Sequence, residues 1–122
     1  MNSYDKIKFQ KEAVVSYIFN DDKLLLIEKK RGLGAGKINV PGGHIEPGES
    51  AIEAAVRETM EEVDLFTENL KLMGFLYFKF RDGLTMKGHV FQTNNYTGIA
   101  KESDEADPFW QPIDNLPYDK NH

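Results

Sequence analysis

Gly42-Gly43-His44-Ile45-Glu46-Pro47-Gly48-Glu49-Ser50-Ala51-Ile52-Glu53-Ala54-Ala55-Val56-Arg57-Glu58-Thr59-Met60-Glu61-Glu62-Val63-Asp64-Leu65 begins as a glycine-rich loop and ends as a stretch crowded with carboxylates. Ser50 followed three residues later by Glu53 is a capping-box pattern, which starts a helix near Ser50. From there Ile52, Ala55, Val56, Thr59, Met60 and Val63 recur at helical spacing, the stripe such a helix is expected to bury. Glu58, Glu61 and Glu62 stand at i, i+3 and i+4, so at about 100° per residue they share a roughly 100° arc. Carboxylates so close repel one another unless positive charge sits among them. A hard divalent cation such as Mg²⁺ is a natural resident. Three glutamates alone more often form a solvated helix face; their spacing from the glycines is what separates the two readings.

Gly43, five residues, Glu49, seven residues, then Arg57-Glu58-x-x-Glu61-Glu62 fixes many positions at once. In these residues the chain resembles the MutT/Nudix hydrolases, whose motif couples a glycine loop to an acidic helix. Two positions depart from that motif. Thr59 stands where a bulky aliphatic residue is usual, and Asp64 where the helix usually ends in glycine. Aspartate is one of the few side chains that tolerate the left-handed backbone of a helix C-terminus, so Asp64 is expected to cap the helix there with modest strain.

A chain of 122 residues, 40% hydrophobic and 29% charged, is expected to form a single domain over residues 1–122 around one modest core. No apolar run reaches membrane-spanning length and the N-terminus has no signal-peptide character, so neither a membrane nor secretion is indicated. The sequence contains no cysteine, which excludes disulfides and thiolate chemistry and fits a cytoplasmic location. The net charge of −5 is local in origin: residues 46–64 carry seven acidic groups against Arg57. A duplex nucleic acid is therefore not an expected partner.

Along the chain, Glu12 to Phe19 and Lys23 to Lys30 read as a strand pair about an Asn20-Asp21-Asp22 turn. Arg31 to Gly36 reads as a glycine loop, and Lys37 to Pro41 as a short strand delivering the chain into Gly42-Gly43. Leu70 to Phe80 and Thr85 to Asn94 form a second pair. Gly98 to Asp107 reads as loop, Phe109 to Ile113 as a last strand, and Asn115-Leu116-Pro117 as the start of a helix. Strands dominating with one long helix predict an α/β or α+β fold. The resemblance implies the former, an α/β/α sandwich with a mixed β-sheet and the motif helix packed on it.

Outside the motif, Lys29 to Lys37 ahead of Asn39, and Glu102 to Glu105 ahead of Phe109-Trp110, are similar to the oxidised purine nucleoside triphosphatases. That resemblance implies that Asn39 bonds a purine edge, Phe78 lines a base pocket, Lys29 lies near the nucleotide, and Glu105 joins the metal site from a loop. It also implies a C-terminal helix beyond the Leu-Pro, which the seven residues from Leu116 to His122 leave missing or truncated.

The chemistry implied is Mg²⁺-dependent hydrolysis, with Mn²⁺ as a possible substitute, of a purine nucleoside triphosphate to monophosphate and pyrophosphate. The expected metal ligands are Glu58, Glu61, Glu62, Glu105 and the carbonyl of Gly43. Arg57 is expected to brace carboxylates, with Glu49 reaching Arg57 or the metals. Gly42 and Gly43 admit close backbone approach, and His44 stands beside the substrate. His89, in a strand, reads as structural. Spacing does not decide which glutamate is the base: Glu58 and Glu105 are both candidates. Three alternatives stay open: an enzyme acting on ADP-ribose, a nucleotide sugar or an RNA 5′ end; a non-catalytic nucleotide-binding module of the same fold; and either a monomer or a homodimer.

Overall fold

The computed structural model describes residues 11–31 and 35–115. β1 (Lys11–Asn20) and β2 (Lys23–Lys29) form the expected hairpin, and its turn places Asp21 in the left-handed region at φ 52°. The two strands pair only next to the turn, at Phe19↔Leu24 and Asn20↔Lys23, and then part. β3 (Ile38–Asn39) follows β2, and β4 (Gly42–His44) pairs antiparallel with β1 through Ala13↔His44, Val14↔Gly43 and Val15↔Gly42. The glycine stretch is thus partly strand. Gly42 is needed there because a Cβ would run into the Val14 carbonyl oxygen.

α1 (Ala51–Val63) opens with the expected capping box: Ser50 Oγ accepts from Glu53 N–H, and Glu53 Oε1 accepts from Ser50 N–H at 2.8 Å. It closes at Asp64, held at φ 62°, whose N–H donates to the Met60 carbonyl at 3.0 Å. Ala55, Thr59 and Val63 of the expected stripe are buried and Val56 is half-buried, but the rest of the stripe differs. Ala54, Ala55, Thr59, Glu62 and Val63 face the sheet, while Ile52 and Met60 are 51% and 39% exposed. Small residues let the helix approach the strands, and Glu62 turns inward because the Gly42 N–H meets its Oε1 at 3.0 Å. Thr59 satisfies its own buried hydroxyl on the Ala55 carbonyl, one turn back, at 2.9 Å.

β5 (Phe66–Glu68) and β8 (Asn95–Thr97) form a separate two-stranded sheet, too short to show any alternation in the sequence. β6 (Lys71–Lys79) and β7 (Thr85–Thr93) are the second hairpin. β9 (Ala106–Pro112) begins inside the stretch expected as loop, and Ile113–Asn115 form a 3₁₀ turn. The remainder of the expected C-terminal helix start lies outside the described residues.

The main sheet runs β3-β2-β1-β7-β6, with β4 added to β1 and β9 to β2; β1 and β7 are parallel and the other pairs antiparallel. This is the mixed sheet with a packed helix that the α/β reading anticipates, although α1 is the single α-helix among the described residues. Two clusters fix α1 to the sheet. Ala54 and Ala55 pack on Val14 and Phe91, while Val63, with Leu65, packs on Ile18, Leu25 and Ile27. Each large side chain buried there contributes about 2 kcal/mol. The face turned away from α1 leaves Tyr17, Leu76 and Phe78 exposed. Among the described residues, no helix is long and apolar enough to cross a membrane.

Candidate active site

Where β1 and β2 part, two cavities open side by side. One, of about 520 Å³, is lined by Lys29, Arg31, Gly43, His44, Glu46, Glu58, Glu62 and Glu105. The other, of about 300 Å³, is lined by Asn39, Leu76, Phe78, Met86 and Gly88, together with β1 residues and Gly42. Lys29, Gly43 and His44 line both. Every residue expected to bind substrate therefore lies on one or both cavities. Phe78 is 42% exposed, so it is not core. A separate polar cavity of about 460 Å³ near Asp21, Asn69 and Lys71 gathers no carboxylate cluster.

The acidic residues divide by partner. Arg57 donates from Nε and Nη2 to both oxygens of Glu49, at 2.7 and 3.0 Å. Its Nη1 serves Glu58 Oε1 at 2.6 Å and Glu61 Oε1 at 3.0 Å, and Nη2 also reaches the His44 carbonyl at 3.0 Å. One guanidinium thus ties the helix to β4 and to the loop ahead of the helix. These hydrogen bonds draw Glu49 down to about 2, and the same bonds, that to Glu49 foremost, raise the Arg57 pKa. Glu61 is 50% exposed at the side chain and lines neither cavity.

Glu62 is 1% exposed. Burial, only partly offset by the Gly42 hydrogen bond and the charge of Lys29, pushes its pKa up to about 7, with repulsion from Glu58 and Glu105 adding to the rise. Glu58 is also raised, first by burial, against the pull of Arg57. Its Oε2 lies over Gly43, where a Cβ would occupy the same space. Glu105 reaches the cavity from the segment before β9, with Arg31 Nη2 4.0 Å from its Oε1. His89 contacts Glu12 Oε1 at 2.9 Å and the edge of Phe75, away from both cavities.

Sequence reading missed Arg31 and Glu46 as cavity residues. Arg31 carried a signal, as the third cation of Lys29-Lys30-Arg31; Glu46 carried none. Leu76 was also missed, although its two-residue spacing from Phe78 in one strand puts both on one face.

A mixed sheet, a capped acidic helix over a glycine strand and a carboxylate cavity define a class, and the comparisons agree. The NUDIX domain family matches residues 9–122, and the chain belongs to that family. It is 42% identical over 97 residues to the oxidized purine nucleoside triphosphate hydrolase of Danio rerio, covering 79% of this chain and 62% of that protein. It is 36% identical over 110 residues to the ADP-ribose pyrophosphatase of Methanocaldococcus jannaschii, covering 86% and 63%. The chain thus spans less than two thirds of the length of these relatives. The crystal structure of a MutT NUDIX hydrolase from Burkholderia pseudomallei superposes with a TM-score of 0.79 at 26% identity, covering 88% of this chain and 86% of that one.

Proposed function

We propose that the protein is a Mg²⁺-dependent pyrophosphohydrolase that cleaves purine nucleoside triphosphates, oxidised ones among them, to the monophosphate and pyrophosphate. The observation that carries this reading is the pair of abutting cavities: an acidic one suited to a cation and phosphates, and an apolar-edged one bearing Asn39 and Phe78. The 42% identity to a hydrolase of oxidised purine nucleotides supports the substrate class.

The donor set fits a hard divalent ion. Glu58 and Glu62 are both raised by burial, and Glu105 repels each, so negative charge is in surplus in a space of oxygen donors. Among the described residues no three acidic or histidine side chains close into a metal cage. Mg²⁺ retains waters and takes one or two carboxylates with phosphate oxygens, so it needs no closed protein cage. Of Glu58, Glu62 and Glu105, one or two would ligate it directly beside the Gly43 carbonyl and the rest through waters; Glu61, which lines neither cavity, stands outside that set. When bound, such an ion supplies positive charge where phosphoryl oxygens accumulate negative charge, and it makes water more acidic.

The chain's own groups do the rest. Lys29 and Arg31 draw the phosphate tail into a cavity that would otherwise repel it. Gly43 has no side chain, which leaves room for the Glu58 carboxylate against the backbone. The Asn39 amide offers both a donor and an acceptor to a purine edge, while Leu76, Phe78 and Met86 give the ring an apolar surface. Arg57 fixes Glu58 Oε1 and leaves Oε2 toward Gly43, so Glu58 can take the proton of an attacking water; Glu105 is the other group placed to do so. One water is consumed and one phosphoanhydride bond is broken.

The 36% identity to an ADP-ribose pyrophosphatase favours a second reading, in which the same acidic cavity cleaves a different diphosphate. Incubation with Mg²⁺ and a panel of purine triphosphates, 8-oxo-dGTP, ADP-ribose and nucleotide sugars separates the two. Pyrophosphate release from triphosphates is expected. Turnover of ADP-ribose or sugar nucleotides alone would replace the first reading with the second, and binding without turnover of any of them would leave a nucleotide-binding module.

A further inference from the structure

A helix leaves its last carbonyls without intrahelical partners. In α1 two of them are taken by the segment that carries Glu105. The Glu62 carbonyl accepts from Ser103 Oγ at 2.7 Å, and the Val63 carbonyl accepts from Lys101 N–H at 2.8 Å. The Ser103 hydroxyl also accepts from the N–H groups of Glu105 and Ala106, at 3.1 and 3.3 Å, so it donates once and accepts twice, its full capacity. The Ser103 N–H closes the turn on the Ala106 carbonyl at 2.9 Å. On the far side, Lys30 N–H holds the Glu105 carbonyl at 2.9 Å. The backbone of Glu105 is therefore clamped between the end of β2 and the end of α1, and its side chain enters the cavity that Glu58 and Glu62 line.

We infer that Ser103 is a positioning residue: its hydroxyl links the backbone of Glu62 to that of Glu105 and so sets the spacing of two carboxylates that would share a divalent cation. The inference deepens the reading of this site as a cation-dependent one and rests on it. One side-chain oxygen spans the joint, from a residue that itself lines neither cavity. A loss at Ser103 should therefore act through Glu105 and not through the rest of the fold.

The test titrates the full chain with Mn²⁺ and no nucleotide, following free ion by electron paramagnetic resonance, alongside melting curves. Ser103→Ala should weaken Mn²⁺ binding about 10-fold, the usual scale for removing a group that orients a ligand. Ser103→Thr keeps the hydroxyl and should bind within about 2-fold of the parent. In a Glu105→Gln background, Ser103→Ala should weaken binding by less than a further 2-fold or so, because residues acting through one ligand are not additive. If Ser103→Ala fails to fold, Ser103→Cys, with its weaker hydrogen bonds, carries the same cycle. A lower melting temperature with unchanged Mn²⁺ affinity overturns the inference, as does full additivity with Glu105→Gln or a parent chain that binds no Mn²⁺. A parent that binds Mn²⁺ but hydrolyses nothing removes the proposed activity and leaves the Ser103 result to be judged on affinity alone.

Discussion

Glu62→Gln should make the cation-free protein more stable at pH 8 while abolishing most of its activity. Glu62 is buried, and its pKa rises from 4.5 to about 7 on folding. Between those values the folded state holds more proton than the unfolded chain, so stability falls as pH rises through this window. Below the unfolded pKa the carboxyl is protonated in both states and costs nothing extra. Above about 7 the full penalty is present, about 3 kcal/mol by linkage. Glutamine keeps an oxygen for the Gly42 N–H at nearly the same volume and cannot ionise. At pH 5 parent and variant should therefore melt close together. At pH 8 the variant should melt higher, by on the order of 10 °C for a domain of this size. Saturating Mg²⁺ should recover the parent's deficit and do little for the variant. The same substitution should lower kcat at least 100-fold, about 2.7 kcal/mol of barrier. Calorimetry across pH 5 to 8, with and without Mg²⁺, reads the first effect and pyrophosphate release the second. Parallel melting profiles for parent and variant would refute the buried-charge account, and activity within a few-fold of the parent would refute the site.

Gly43→Ala places a methyl group inside the Glu58 carboxylate, which Arg57 holds from its other side. Activity should fall about 100-fold, with a melting change of only a few degrees, because a side chain and not backbone must move. Gly42→Ala meets the Val14 carbonyl instead and should lose about 1–3 kcal/mol in urea denaturation. Arg57→Lys cannot reproduce the two-point grip on Glu49; kcat should drop at least 10-fold with a smaller change in KM, and charge-preserving substitution giving full activity would show that fork geometry is irrelevant. Asp64→Gly relieves a left-handed aspartate and should stabilise by about 0.5–1 kcal/mol without touching kcat, since the exposed Lys101–Asp64 pair it removes is worth little.

The capped helix, both hairpins and the left-handed Asp64 were legible because each rests on a local rule: a side chain satisfying a nearby backbone group, an alternation, a turn residue. The rotation of α1 was not. Ile52 and Met60 outrank alanine in hydrophobicity, so periodicity alone points them inward. What brings Ala54 and Glu62 inward beside the expected Ala55, Thr59 and Val63 is non-local: strands close enough to demand small residues, and a Gly42 N–H that accommodates Glu62. The splay of β1 from β2 was equally hidden, since both strands look continuous and only their different neighbours, β7 with β4 and β9 with β3, show that they part. The cavity lies in that splay, so the site's residues could be named from the motif and its flanks before anything showed why they meet.

The charge of the motif gains its meaning from the same packing. Residues 46–64 carry a net −6, which a sequence reader would assign equally to a solvated face. In the fold the charges are sorted. Glu53 is used at the helix N-terminus, where an anion is favoured. Glu46, Glu49 and Glu61 gather around Arg57, and Asp64 meets Lys101. Glu58 is shared between Arg57 and the cavity. Glu62 is left with a single backbone N–H and distant Lys29, and Glu105 is brought toward it from another part of the chain. A solvated face would spread its carboxylates into water and leave their pKa values alone. Here Glu49 and Glu61 direct their charge to Arg57 away from the cavity, while Glu58, Glu62 and Glu105 converge on it, and burial and mutual repulsion weigh on Glu58 and Glu62 there. That imbalance costs stability in the isolated chain. A folded protein keeps such a cost where a ligand relieves it, and a cation arriving with a phosphate chain has the charge and the oxygen chemistry to do so.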